Sequence, residues 1–80
     1  MRPETRSPLS LEEHRELGQE VRATALRLAQ LATLVRSVYG PNNQAAFGFA
    51  RVVEDIERLR GDLQAQAAAD LPGFAVEGFY

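Results

Sequence analysis

One histidine, His14, is the only side chain of this sequence whose ordinary pKa lies near neutrality, and carboxylates surround it in sequence at Glu13, Glu16 and Glu20. Histidine beside carboxylates can do two kinds of chemistry, metal ligation and proton transfer. A lone histidine cannot build a multi-histidine centre within one chain, so such a site would need a symmetric interface that brings copies together. The Glu-x-x-His pairing of di-iron helical bundles wants a carboxylate three residues before the histidine, and Leu11 stands there. The residues therefore argue for a partly buried histidine at a helix end, able to make association pH-dependent, and for no metal ligand, cofactor-binding residue or catalytic residue.

The remaining reactive groups are few. Cysteine is absent, which removes disulfides, thiolate metal sites and thiol nucleophiles. No Gly-rich phosphate loop, nucleophile elbow or pair of carboxylates in an apolar run occurs, so an enzyme is not expected. The formal charge of −2 comes from 11 acidic and 9 basic residues intermixed along the chain, which is no electrostatic footprint for nucleic acid. Charged residues interrupt every apolar stretch well short of the ~18 residues a membrane span needs. The polar start Met1-Arg2-Pro3-Glu4 is not followed by the apolar core of a signal peptide, and the expectation is a soluble cytoplasmic protein.

The elements that must position these groups are helical. Residues 1–9, with two prolines and no apolar periodicity, read as a flexible arm. Ser10 followed by Glu13 has capping-box spacing, with Ser7-Pro8 as an alternative start. From there Leu17, Val21, Thr24, Leu28, Leu31, Val35 and Val38 recur in steps of four and three, the seam of an amphipathic helix over about 10–39. Gly40-Pro41 stops it, and Asn42 or Asn43 can cap a second helix at once. That helix, about 43–69, carries Ala45, Phe49, Val52, Ile56, Leu59 and Leu63 on its seam and ends before Leu71-Pro72-Gly73. Arg51 to Asp55 and Glu54 to Arg58 have the spacing of helix-surface ion pairs. Gly48 and Gly61 should each weaken a helix by about 1 kcal/mol, so Gly48 suggests close approach of a neighbour and Gly61 a kink or an early helix end.

The fold class is thus all-α: over 10–73, an antiparallel hairpin of two long helices. One hairpin has a single internal interface, which leaves Leu26, Leu34, Phe47 and Val53 without obvious cover. Dimerisation into a four-helix bundle would cover them, with Leu17, Val21, Leu28, Leu31, Val35, Val38, Phe49, Val52, Ile56, Leu59 and Leu63 as the self-association surface. The tail, 74–80, holds three of the chain's six aromatic residues. Phe74, Val76, Phe79 and Tyr80 either plug the open end of the bundle or form a strip for a second protein.

The leading functional expectation is a protein–protein interaction module, homo-oligomeric and non-enzymatic, contacting a further partner through its tail. A second expectation is a small-molecule or metal site between subunits, lined by Tyr39, Phe47, Phe49 and His14. A third is a nucleic-acid-binding regulator using Arg15, Arg22, Arg36 and the Arg2/Arg6 arm, against which the interleaved glutamates argue.

Overall fold

Two local signals start the helices, and both work through side-chain oxygens that take up otherwise orphaned backbone N–H groups. Ser10 Oγ accepts from the Glu13 amide at 3.2 Å, and Glu13 Oε1 accepts from the Ser10 amide at 2.8 Å. This reciprocal box opens α1, Leu11–Tyr39. At the other end Gly40, at φ 91°, donates its amide to the Arg36 carbonyl. Asn43 then opens α2, Gln44–Asp70, its Oδ1 accepting from the amides of Ala45 and Ala46 at 2.8 and 3.1 Å. The connection between the helices is four residues long, too short for anything but an antiparallel return.

The computed structural model describes residues 7–80. The expected arm falls mostly on residues 1–6, outside the described residues. The described chain is all-helical apart from its turn and tail, and the two helices pack against each other. Both helices lie within a residue of the expected bounds. No break occurs at Gly61, because α2 runs unbroken to Asp70. The helix-surface pairs differ from the expected four-residue set: Arg15 with Glu12, Arg58 with Asp55 and Arg60 with Glu57 meet at three-residue spacing. All three pairs are solvent-exposed to a considerable degree, where such contacts contribute little.

Beyond α2 the chain turns twice. Phe74 donates its amide to the Leu71 carbonyl across Pro72-Gly73, and Phe79 donates to the Val76 carbonyl across Glu77-Gly78. Gly73 and Gly78 have φ of 88° and 81°, the third-position requirement of a type II turn, and Pro72 suits the second position of the first one. These turns swing the tail back along the helices. The core that results sits at this end of the hairpin: Ala67, Val76 and Tyr80, with Leu11, Leu17, Val21, Leu63, Leu71 and Phe79 packed around them. No described helix is long and apolar enough to cross a membrane.

Replacing Asn43 with alanine should lower thermal stability by about 1 kcal/mol, because two amide donors lose their acceptor in a turn that fixes the register of the whole hairpin. Gly61→Ala should raise it by a similar amount, since a Cβ there meets nothing within 4 Å. Thermal unfolding followed by circular dichroism measures both.

Candidate functional site

His14 is fully buried, the most completely enclosed large side chain of the structure. Antiparallel register puts it there: equal steps outward from Tyr39 and from Gln44 bring position 14 level with the end of α2, where Asp70 stands. The imidazole Nε2 lies 2.8 Å from Asp70 Oδ2, and Nδ1 lies 2.7 Å from the Tyr80 hydroxyl. A carboxylate only accepts, so Nε2 carries a proton and donates it; in the neutral ring Nδ1 is then the acceptor of the tyrosine O–H. Asp70 Oδ1 accepts in addition from Gln66 Nε2 at 2.7 Å. Among the described residues no buried side-chain nitrogen or oxygen lacks a partner.

The charge state of this chain of groups follows from its geometry. Hydrogen bonding from His14, then from Gln66, holds the Asp70 carboxyl below its ordinary range, against an opposing contribution from desolvation. Burial pushes the Tyr80 phenol up, and the nearby Asp70 charge adds to that shift. Tyr80 is therefore a neutral donor held in place, the opposite of an activated phenolate. Its ring meets the imidazole edge-on, with centroids 5.9 Å apart at 88°.

Around this centre the helices grip the main chain of the tail. Gln64 works at two points, donating from Nε2 to the Val76 carbonyl at 2.8 Å and accepting the Tyr80 amide at Oε1 at 3.2 Å. Arg60 Nε donates to the Tyr80 main-chain oxygen at 2.7 Å, and Arg22 reaches the Gly78 carbonyl at 3.0 Å. Arg15 lies over the Phe79 ring, 5.6 Å from its centroid. Gly18 is the seat of the tail: a Cβ at this position would collide with the Phe79 carbonyl. Only glycine in α1 lets the tail backbone lie this close.

The residues expected at interfaces fall into two groups. Leu17, Val21 and Leu63 pack against the tail core within their own chain. Leu28, Leu31, Val35, Phe49 and Ile56 are half-buried, and Val38, Val52 and Leu59 are exposed. The tail divides too: Val76 and Tyr80 are buried, Phe79 is half-buried, and Phe74 remains exposed. A strip presenting all four to another protein would require undocking. Within one chain His14 does not join Tyr39, Phe47 and Phe49, because the antiparallel hairpin places them at opposite ends. Of the arginines, Arg15 and Arg22 both reach the tail, at Phe79 and Gly78; Arg2 and Arg6 lie outside the described residues. Among the described residues no group of three His, Cys, Asp or Glu side chains is placed to hold a metal ion.

Sequence reasoning missed Asp70, Gln64, Arg60 and Gly18 as members of this site. The hairpin register offered a signal for Asp70 opposite His14. Nothing local marked Gly18, whose role exists only once the tail is in place. Comparison with protein-family models, with curated proteins and with solved structures gave no match.

Two predictions arise from these contacts. Tyr80→Phe should destabilise the protein by about 1–3 kcal/mol, because it leaves the buried His14 Nδ1 without a donor; chemical denaturation is the readout. Asp70, whose folded pKa is depressed below 3.8, contributes stability that is fully present above that value and is lost as pH falls through the folded pKa. Tyr80, whose folded pKa is raised above 10.0, contributes below that value and loses its contribution as pH rises through the folded pKa. A denaturation series against pH should show a plateau that falls away at both extremes, with the acid fall weakened in Asp70→Asn and the alkaline fall weakened in Tyr80→Phe.

Proposed function

We propose that this chain is a non-enzymatic protein–protein interaction module, a helical hairpin that self-associates into a four-helix bundle. The observation behind this reading is the apolar surface left bare along the two helices: Leu26, Leu34, Val38, Tyr39, Phe47, Val52 and Leu59 are each between 44 and 67% exposed. Against this, the buried apolar side chains among the described residues are Ala25, Ala46, Ala67, Val76 and Tyr80. Three of those five are alanines, a thin core even for a small domain. Scattered exposed apolar residues are ordinary, but Leu28 of α1 and Ala45, Phe49 and Val52 of α2 also line one apolar groove across the two helices, which marks a contact surface.

The buried polar centre supports the same reading by what it lacks. Asp70, His14 and Tyr80 form a hydrogen-bonded chain of the kind that activates nucleophiles, yet Tyr80 is enclosed and its phenol is made less acidic. Its role here is to fasten the tail. The tail in turn closes one end of the hairpin and leaves the other for a partner.

Light scattering over a concentration series from about 1 µM to 1 mM, the range in which modest interfaces assemble, tests this. The expected result is a particle mass rising towards twice the 8.8 kDa of the chain. The double variant Val38→Glu, Val52→Glu should stay at the single-chain mass with its helix content retained. An unchanged single-chain mass for the parent protein at every concentration would overturn the proposal.

A further inference from the structure

The tail lies on one flank of the hairpin, at the end away from the turn. Its grips, Gly18 and Arg22 on α1 and Arg60 and Gln64 on α2, share one side by helical periodicity. The same periodicity carries Leu28, Leu31, Val35 and Val38 of α1, and Ala45, Gly48, Val52 and Leu59 of α2, to the opposite side. An apolar groove of about 340 Å3 joins the helices there, lined by Leu28, Ala45, Gly48, Phe49 and Val52. The groove has a gap in its α2 wall: a Cβ on Gly48 would meet nothing within 4 Å.

This face is complementary to itself. At equal distances from the turn, α1 raises a ridge of Leu31, Leu34 and Val38 while α2 offers the Ala45–Gly48–Val52 hollow. A two-fold axis running along the helices, with both turns at the same end, lays α1 of one copy over α2 of the other and seats each ridge in the facing hollow. Building on the self-association proposed above, we infer that the tail-free face is an isologous dimer interface, with Gly48 as the point of closest approach and a second copy of this chain as its occupant.

Area favours full overlap over a stagger, and apolar matching favours having the turns together. Two helices side by side, each about 10 Å across and over 40 Å long, offer roughly 800 Å2, the amount each partner contributes to a stable interface. A staggered dimer overlapping only in the turn halves would have about half of that. Full overlap with the turns at opposite ends would reach the same area, but it would set Leu31, Leu34 and Val38 against the half of the face that carries Glu20 and Asp62. With the turns together, the apolar turn halves meet each other, and Glu20 falls level with Asp62 of the other copy at the far end, away from the apolar ridge and hollow.

Because the chain has no cysteine, Asn42→Cys places a single pyrene label in the turn of the whole 80-residue chain. The inference expects excimer emission that rises with concentration in step with the particle mass. In a second variant, Gly48→Leu fills the hollow; association should weaken tenfold or more while helicity and the melting temperature of the monomer hold or rise. Gly61→Leu, at the other open helical glycine, should leave association unchanged. Dimers without excimer emission, or an association constant indifferent to Gly48→Leu, would overturn this interface while leaving self-association standing. A parent protein that never exceeds the single-chain mass would remove both.

Discussion

The burial of His14 between Asp70 and Tyr80 is the constraint on which the rest of this small structure hangs. An imidazole removed from water needs a partner for each nitrogen, and the two partners come from the end of α2 and from the last residue of the sequence. Satisfying it therefore fixes three things together: the lateral register of α1 against α2, the point where α2 stops, and the path of the tail. A buried polar network of this sort is specific because the alternatives are poor. If the tail is displaced, Nδ1 loses its donor and the apolar surface under Val76 and Tyr80 is opened. The contacts around it reinforce one geometry, with Gln64 holding the tail at two points and Gly18 allowing its backbone to sit against α1.

That network also explains why the hairpin is unequal along its length. The end holding the chain's buried polar centre has its apolar side chains covered by the tail, and a three-layered packing of α1, α2 and tail results. The turn half has the two helices alone. Domains generally need a second layer to cover an amphipathic face, and among the described residues no segment supplies one there. Val38 and Val52 are exposed there although they keep the apolar pattern of their helices.

What was legible in the sequence is what depends on local chemistry. Ser10 and Glu13, Gly40 and Asn43 each act within a few residues, so the helix ends can be read from the order of residue types. The seams are read from periodicity in the same way. The site was less visible because its members lie far apart in sequence and meet only after the helices have docked. His14 stood out as the lone histidine, and of its two partners Tyr80 was noticed as an aromatic in search of cover. Asp70 and Gln64 look like ordinary polar residues of a helix end. Gly18 looks like a defect in α1 until the Phe79 carbonyl occupies the space. Gly61 shows the converse: its helix-weakening residue type suggested a break, yet the surrounding turns of α2 keep the helix intact.

On the proposed reading, the tail has a second consequence for assembly. A hairpin apolar on both flanks would offer each copy two docking faces, and pairing through both would continue without end, the route by which open assemblies grow. At the end away from the turn, the tail closes one flank with its own backbone and with the arginines and glutamine that hold it. The opposite face is left as the long self-complementary one, and a two-fold axis through it is satisfied by two copies. The buried histidine would then act at a distance from the interface it serves: by keeping the tail docked, it removes part of the second flank as a docking face and so favours a closed pair over an open assembly.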